Sequence, residues 1–260
     1  VTGVQTCALP ISREYRRLMI ANLGRDFVPL ALHMLGGIQF GLFCKRDFLA
    51  DVKEVAVADV TCGIGNVFHN KGAIGAFVKV ACKKGDDMRM LFVTAHMAAH
   101  VKNSEARDAD FWRITSELEA QAPPRFLLNN RASSSSSSES ILLNSMDRIF
   151  LCGDLNYRLD LPREFTQQSV AEILRLSREK SDDSKAKAQL LRQELLRHDQ
   201  LRATIAAQTA FPGFAEGPIH FPPTFKFDKG TADYDTSPKQ RIPAWTDRIL
   251  FKPVGTRVLE

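Results

Sequence analysis

Residues 150 to 159 read FLCGDLNYRL. An apolar strand, expected from Arg148 to Cys152, runs straight into Gly153, Asp154, Leu155, Asn156, Tyr157 and Arg158. Rigid scaffolds deliver chemical groups to a surface at strand ends. Here a carboxylate, an amide and a guanidinium leave one strand end within five residues. Asp154 and Asn156 are two apart, so extended backbone would point both to one side of a sheet. Side by side they could grip one water or one metal-bound oxygen. The plainer alternative is an Asp/Asn turn after a strand, which is common.

Two more stretches share this design. RIPAWTDRILFK, residues 241 to 252, sets Pro243, Trp245, Asp247 and Arg248 before an apolar strand expected from Ile249 to Phe251. FVTAHMAAH, residues 92 to 100, lies where a strand from Met90 to Ala95 ends in His96, with His100 four residues on.

Together the three strings resemble the inositol polyphosphate 5-phosphatase family, part of the larger group of metal-dependent phosphoesterases built like DNase I and exonuclease III. GIGNVFHNKGAIGAFVKV at 63 to 80 is similar to that family's Gly-Asn-Lys-Gly segment. DQLR at 199 to 202 and FPGFAEGPIHFPPTFKFD at 211 to 228 are similar to the stretch before its last motifs. The similarity runs from about Gly36 to Lys252. It implies an α/β (α+β) domain, a four-layer sandwich of two mixed β-sheets flanked by helices. It also implies Mg²⁺-dependent removal of the 5-phosphate from inositol polyphosphates or phosphoinositides such as phosphatidylinositol 4,5-bisphosphate.

The resemblance carries roles to particular residues. Asp154 would be the base that activates the attacking water, and Asn156 would hold that water or a phosphoryl oxygen. His96 would donate to a phosphoryl oxygen as charge develops. Asp247 would belong to the catalytic centre and orient a neighbouring group; its alternative is an ion pair with Arg248. Asn70, Lys71, Arg158, Lys226, Lys239 and Arg241 would contact substrate phosphates. One position departs from the pattern: Phe225 stands where the family often has tyrosine, and a phenyl ring cannot hydrogen-bond a phosphate.

The family's metal ligands, an Asn and a Glu on early strands, have no counterpart in residues 1 to 35, and its late Asp-His pair has none before Glu260. The expectation is a catalytic domain over residues 13 to 260 that is incomplete at both ends, with metal ligands outside the chain and no turnover by this polypeptide itself. Residues 1 to 12, VTGVQTCALPIS, read as a non-native leader.

Composition bounds the partners. The chain has 260 residues, 44% of them hydrophobic, which suits one domain with a sizeable core. Its formal charge of +5 favours polyanions: inositol phosphates, nucleic acid or acidic lipid surfaces. Charge does not choose among these. The resemblance favours an inositol phosphate or phosphoinositide substrate with peripheral contact to an acidic membrane surface, and no nucleic acid. A nuclease on the same fold and a non-catalytic phosphoinositide-binding module are the alternatives. No apolar run is long enough to span a bilayer. Five cysteines occur singly, which reads as free thiols in a reducing, cytoplasmic setting.

Periodicity predicts a helix within 13 to 35, broken at Gly36-Gly37, then a strand over 38 to 45. Residues 52 to 62 and 73 to 82 read as paired strands, and 88 to 95 as a central strand. A helix is expected over 103 to 121, capped by Ser104. The serine-rich stretch 132 to 140 reads as a disordered loop. Residues 163 to 208 are helix-rich with a break at 181 to 184, and 211 to 240 form a long loop of the kind that usually carries function.

Overall fold

The computed structural model describes residues 10–63, 71–83, 85–128, 140–179 and 181–253. Asn70, residues 1 to 9 and all of the serine-rich stretch except Ser140 lie outside them.

Helix α1 (Pro10–Leu23) leads into a two-stranded antiparallel sheet of β1 (Phe27–Leu35) and β2 (Ile38–Lys45). Strands β3 (Val52–Thr61), β4 (Gly72–Val80), β5 (Met88–His96), β6 (Arg148–Asp154), β7 (Ala215–Glu216) and β8 (Asp247–Lys252) form the second sheet. Its order is β3-β4-β5-β6-β8-β7, with only β5 and β6 parallel. Helices α2 (Ser104–Gln121) and α3 (Ile141–Ser145) lie in the long crossover between those parallel strands. A parallel pair needs such a crossover. Helices α4 (Arg163–Arg178), α5 (Asp182–Leu196) and α6 (Gln200–Ala207) follow β6.

Strand β4, GAIGAFVKV, is buried along almost its whole length because the sheet is covered on both faces there. Its side chains alternate between two cores, as a pleated strand requires. Ala73 and Phe77 pack with Phe111, Ile114 and Leu118 of α2. Ile74 and Ala76 pack with Ala31, Leu35, Ile38 and Phe40 of the two-stranded sheet. A third core gathers Val170, Ile173, Leu195 and Leu196 of α4 and α5 around Trp245. The leucines of α5 are thus mostly core, while Leu190 is exposed.

Several local expectations need correction. The helix stops at Leu23, and Phe27–Leu35 is a strand. Gly24, at φ +81°, adopts the left-handed conformation that ends helices. Short apolar runs do not distinguish buried helix from strand, which is why the periodicity misled here. Pro29 sits beside a register shift in β1, as proline in a strand demands. Asn103, not Ser104, occupies the cap position of α2, and its side chain makes no capping bond. The break before α5 is built by Ser181, whose hydroxyl accepts from the Ser184 N–H. Cys44, Cys62, Cys82 and Cys152 are free thiols, and burial pushes Cys62 up to about 12.

Two glycines let the chain close around the strand ends. Gly72 (φ +148°) and Gly153 (φ +131°) have backbone conformations that disfavour side chains. A Cβ would lie 2.0 Å from the Val60 carbonyl oxygen at Gly72 and 2.1 Å from the Ala95 carbonyl oxygen at Gly153. Neither obstacle is a flexible side chain. Gly153→Ala is therefore expected to destabilise the fold by more than about 2 kcal/mol through backbone strain and displacement of β5. Urea denaturation checks this, and an unchanged midpoint would contradict it.

Candidate active site

The strand ends singled out in the sequence meet in one row of the large sheet. Gly72 pairs with His96, His96 with Asp154, and Asp154 with Asp247. Residues directly opposite on neighbouring strands share a face. His96, Asp154 and Asp247 therefore stand side by side on β5, β6 and β8. Lys71, just before β4, reaches the same place: its Nζ lies 2.5 Å from His96 Nε2. His96 Nε2 lies 3.4 Å from Asp154 Oδ2. Ammonium, imidazole and carboxylate thus form a short chain along which one proton can be shared.

Electrostatics in the row are tense. Burial raises the pKa of Asp154, and the Asp247 carboxylate raises it further; Lys71, Arg158 and the Asn156 N–H oppose this. Burial lowers Lys71 to about 8, against the pull of Asp154. Asp247 is exposed, and its backbone N–H donates to Thr224 Oγ1. Its alternative as a partner of Arg248 does not hold. Arg248, one residue on, faces the other side of the sheet and pairs with Asp199 and Glu216.

The extended geometry expected for Asp154 and Asn156 ends at Asp154. Asn156 has φ +58° and is 2% exposed. Its Nδ2 donates to the Met97 carbonyl at 3.0 Å, and its Oδ1 accepts from Arg158 at 2.6 Å. Its backbone N–H donates to Asp154 Oδ1 at 3.1 Å. The side chain is engaged within the protein rather than turned toward the row. Arg158, expected at substrate, is likewise buried: Nε donates to the Asn156 carbonyl, and the guanidinium stacks 3.7 Å from the Phe225 ring centre. Phe225, the departure from the family's frequent tyrosine, is the apolar face under that guanidinium.

The other expected cations lie on the long loop between β7 and β8. Lys226 and Lys239 are exposed. Arg241 is half-buried against Asp235, at 3.5 Å; burial lowers the pKa of Arg158, and the charges of Arg107 and Arg241 add to this. Asn70 lies outside the described residues. Among the described residues, no three His, Cys, Asp or Glu side chains gather to hold a metal ion. The donor set among the described residues does not fit a divalent cation.

Four supporting residues escaped the sequence reading. Arg107, Asp199, Gln200 and Asp108 all act through hydrogen bonds beneath the row. Arg107, with no exposed surface, donates to the His100 carbonyl at 2.7 Å and to Gln200 Oε1 at 2.6 Å. Asp108 accepts from Tyr157 at 2.6 Å and Thr209 at 2.6 Å. Arg107 and Asp108 lie in the polar first half of α2, Asp199 caps α6 and Gln200 begins it, positions that sequence spacing alone does not separate from solvated charge.

Comparisons with known proteins bear on the family and the fold. Residues 8–259 match the family model of Endonuclease/Exonuclease/phosphatase family 2. The chain is 34% identical over 246 residues to the mouse (Mus musculus) type II inositol 1,4,5-trisphosphate 5-phosphatase, covering 94% of this chain and 22% of that protein. It is 34% identical over 229 residues to inositol-1,4,5-trisphosphate 5-phosphatase 1 of Schizosaccharomyces pombe, covering 88% and 18%. The chain thus spans about a fifth of the length of these curated relatives. Among solved structures it is similar to the inositol polyphosphate 5-phosphatase domain of SPsynaptojanin, solved with inositol (1,4)-bisphosphate and a calcium ion. That likeness has a TM-score of 0.69 and 30% identity, and covers 96% of this chain and 64% of that one. A Cimex nitrophorin, solved as a ferrous NO complex, shares the fold at a TM-score of 0.57 and 19% identity. The fold alone therefore does not fix a function; the site must.

Two outcomes follow from the charges. Arg248→Met would leave Asp199 and Glu216 buried without their cation, an expected loss of roughly 3–5 kcal/mol in a urea melt. Replacing Asp199 by Asn in the same chain should recover part of it. For Lys71, the unfolded chain binds more protons than the folded one between about 8 and the ordinary lysine value of 10.5. Unfolding free energy attributable to Lys71 should therefore rise with pH across that window. Melts at pH 7 and 9.5 should show this rise in the parent and not in Lys71→Met.

Proposed function

The chain belongs to Endonuclease/Exonuclease/phosphatase family 2, and from that premise we propose that it hydrolyses the 5-phosphate of inositol phosphates or phosphoinositides. The observation that carries the proposal is the single row of His96, Asp154 and Asp247, with Lys71 against His96. Phosphate monoester hydrolysis needs a positioned water, a base, and positive groups for the phosphoryl oxygens. Asp154 is the base. Its raised pKa makes it a stronger proton acceptor than an exposed carboxylate while leaving it at the open end of β6.

Lys71 and His96 face the phosphoryl oxygens. As negative charge grows there, the shared proton between Nζ and Nε2 can shift toward His96, which then donates to an oxygen. Asp247 keeps a second negative charge beside Asp154, which holds the base's proton affinity up. Asn156 and Arg158 act from below by fixing the loop that leaves Asp154. Lys226, Lys239 and Arg241 are assigned to the remaining ring phosphates, with Asn70 beside Lys71. The cofactor is proposed to be Mg²⁺, which would neutralise phosphoryl charge; among the described residues no group of three His, Cys, Asp or Glu would hold it. Contact with an acidic membrane surface is proposed from the net charge of +5. No described helix is long and apolar enough to cross a membrane.

The test is phosphate release from inositol 1,4,5-trisphosphate and from inositol 1,4-bisphosphate, with Mg²⁺ and with chelator. Release from the first alone, abolished by chelator, is expected of the protein that carries this chain. Equal release from both, or cleavage of DNA instead, would overturn the proposal. Asp154→Asn should lower kcat by about 10²-fold or more, as loss of a general base does. The same change should not cost stability at neutral pH. The folded pKa of Asp154 is raised, so stability falls as pH climbs from the ordinary value of 3.8 through the folded one and stays lower at neutral pH, and the neutral amide removes that loss. A melt at pH 7 showing strong destabilisation would contradict this.

A further inference from the structure

We infer that Gln200 is the positioning residue that sets the register between the two loops carrying the reaction, an inference that rests on the proposed function. Gln200 is the first residue of α6 and is 8% exposed. A glutamine side chain offers two acceptor sites and two donors. Here all four are used. Oε1 accepts from Arg107 at 2.6 Å and from the Arg158 backbone N–H at 3.1 Å. Nε2 donates to the Val101 carbonyl at 3.1 Å and to Asp160 Oδ1 at 2.7 Å. The Gln200 backbone N–H donates to the Arg158 carbonyl at 2.9 Å, so both polar groups of the Arg158 backbone end on this one residue.

These partners belong to two segments. Val101 closes the loop that follows His96, and Arg107 holds that loop through the Ala98 and His100 carbonyls. Arg158 and Asp160 belong to the loop that follows Asp154, and the Arg158 guanidinium grips Asn156 by its carbonyl and its side-chain oxygen. Asn156 in turn donates to the Met97 carbonyl, and the Met97 N–H donates to the Asp154 carbonyl at 3.1 Å. A closed circuit of hydrogen bonds thus runs from Gln200 through both loops to the residues beside His96 and Asp154. Gln200 touches no reacting atom. It holds the ends of β5 and β6 in mutual register after their ladder stops.

A buried amide of this kind has two roles that must be told apart: general packing, or register of the site. Gln200→Met keeps the length and removes all four side-chain bonds. Gln200→Glu keeps both acceptor contacts but turns a carboxylate toward Asp160. Adding Asp160→Asn to the latter reverses donor and acceptor in that one contact. The measurements are kcat and KM for inositol 1,4,5-trisphosphate in the protein that carries this chain, with amide hydrogen exchange of the same variants. Small displacements at a distance from the chemistry can cost up to about 10²-fold, so Gln200→Met should lower kcat at least about tenfold with KM within about twofold. Exchange should rise at 97–101 and 156–160 while β4 stays protected. Gln200→Glu should fall less in kcat than Gln200→Met, and Asp160→Asn should recover part of its loss.

Unchanged kcat in folded Gln200→Met would overturn the inference. So would exchange rising equally throughout the sheet without recovery in the paired variant, which would mark a packing residue. Should the unsubstituted protein release no 5-phosphate, the proposed function fails. The exchange pattern alone then decides whether Gln200 holds the two loops in register.

Discussion

Arg248 has no exposed side-chain surface, and three groups converge on it. It reaches Asp199 through one Nη at 2.9 Å and Glu216 through Nε and the other Nη at 2.6 Å each, and it donates to the Trp245 carbonyl. Burial works against its charge, yet the hydrogen bond to Glu216 and the negative charge of Asp199 outweigh this and raise its pKa. A guanidinium suits this position because its planar fork can serve two carboxylates at once. The consequence is topological. Asp199 caps α6 by accepting from the Arg202 N–H, and Glu216 lies in β7. One side chain of β8 therefore fixes the edge strand and the start of the helix that bears Gln200.

That constraint explains the placement of the row of His96, Asp154 and Asp247. In β8, successive residues face opposite sides, so a buried Arg248 obliges Asp247 to face the other way. The ladder then sets Asp247 beside Asp154, and Asp154 beside His96. Structural and chemical roles alternate along two residues of one strand. The PAWTDR string looks like a single functional motif in sequence. In three dimensions, Trp245 is core, Arg248 is the internal tie, and Asp247 alone reaches the site.

The strand ends were legible because hydrophobic runs that stop at His96 or Asp154, or start after Asp247, carry a simple period-two signal with a polar break. What failed was the assumption that the period continued past the break. Asn156 takes a left-handed conformation, so its side chain faces Met97 rather than the row. Nothing in the spacing of Asp154 and Asn156 contains that turn. Strand β1 was misread for a related reason: an apolar stretch with one proline and one histidine fits a helix face and a hairpin arm about equally. Gln200 and Asp199 were quoted within DQLR but received no role, since their partners lie about forty to a hundred residues away in sequence. Such partnerships are a property of the packed state.

The row also shows why a site of this kind needs so much support. Asp154 and Asp247 are like charges on adjacent strands, and Lys71 is desolvated beside them. Each arrangement opposes folding in its own right, because burial favours the neutral forms of Asp154 and Lys71. The opposing terms are held in place by interactions that take no part in the chemistry. These are the glycines that let β4 and β6 approach carbonyl oxygens, the saturated amide of Gln200, and the Arg248 tie. The proton affinity of Asp154 is raised by the burial that the surrounding packing imposes and, after it, by the Asp247 carboxylate. The raised proton affinity of Asp154 and the rigidity beneath it are therefore two consequences of one physical condition.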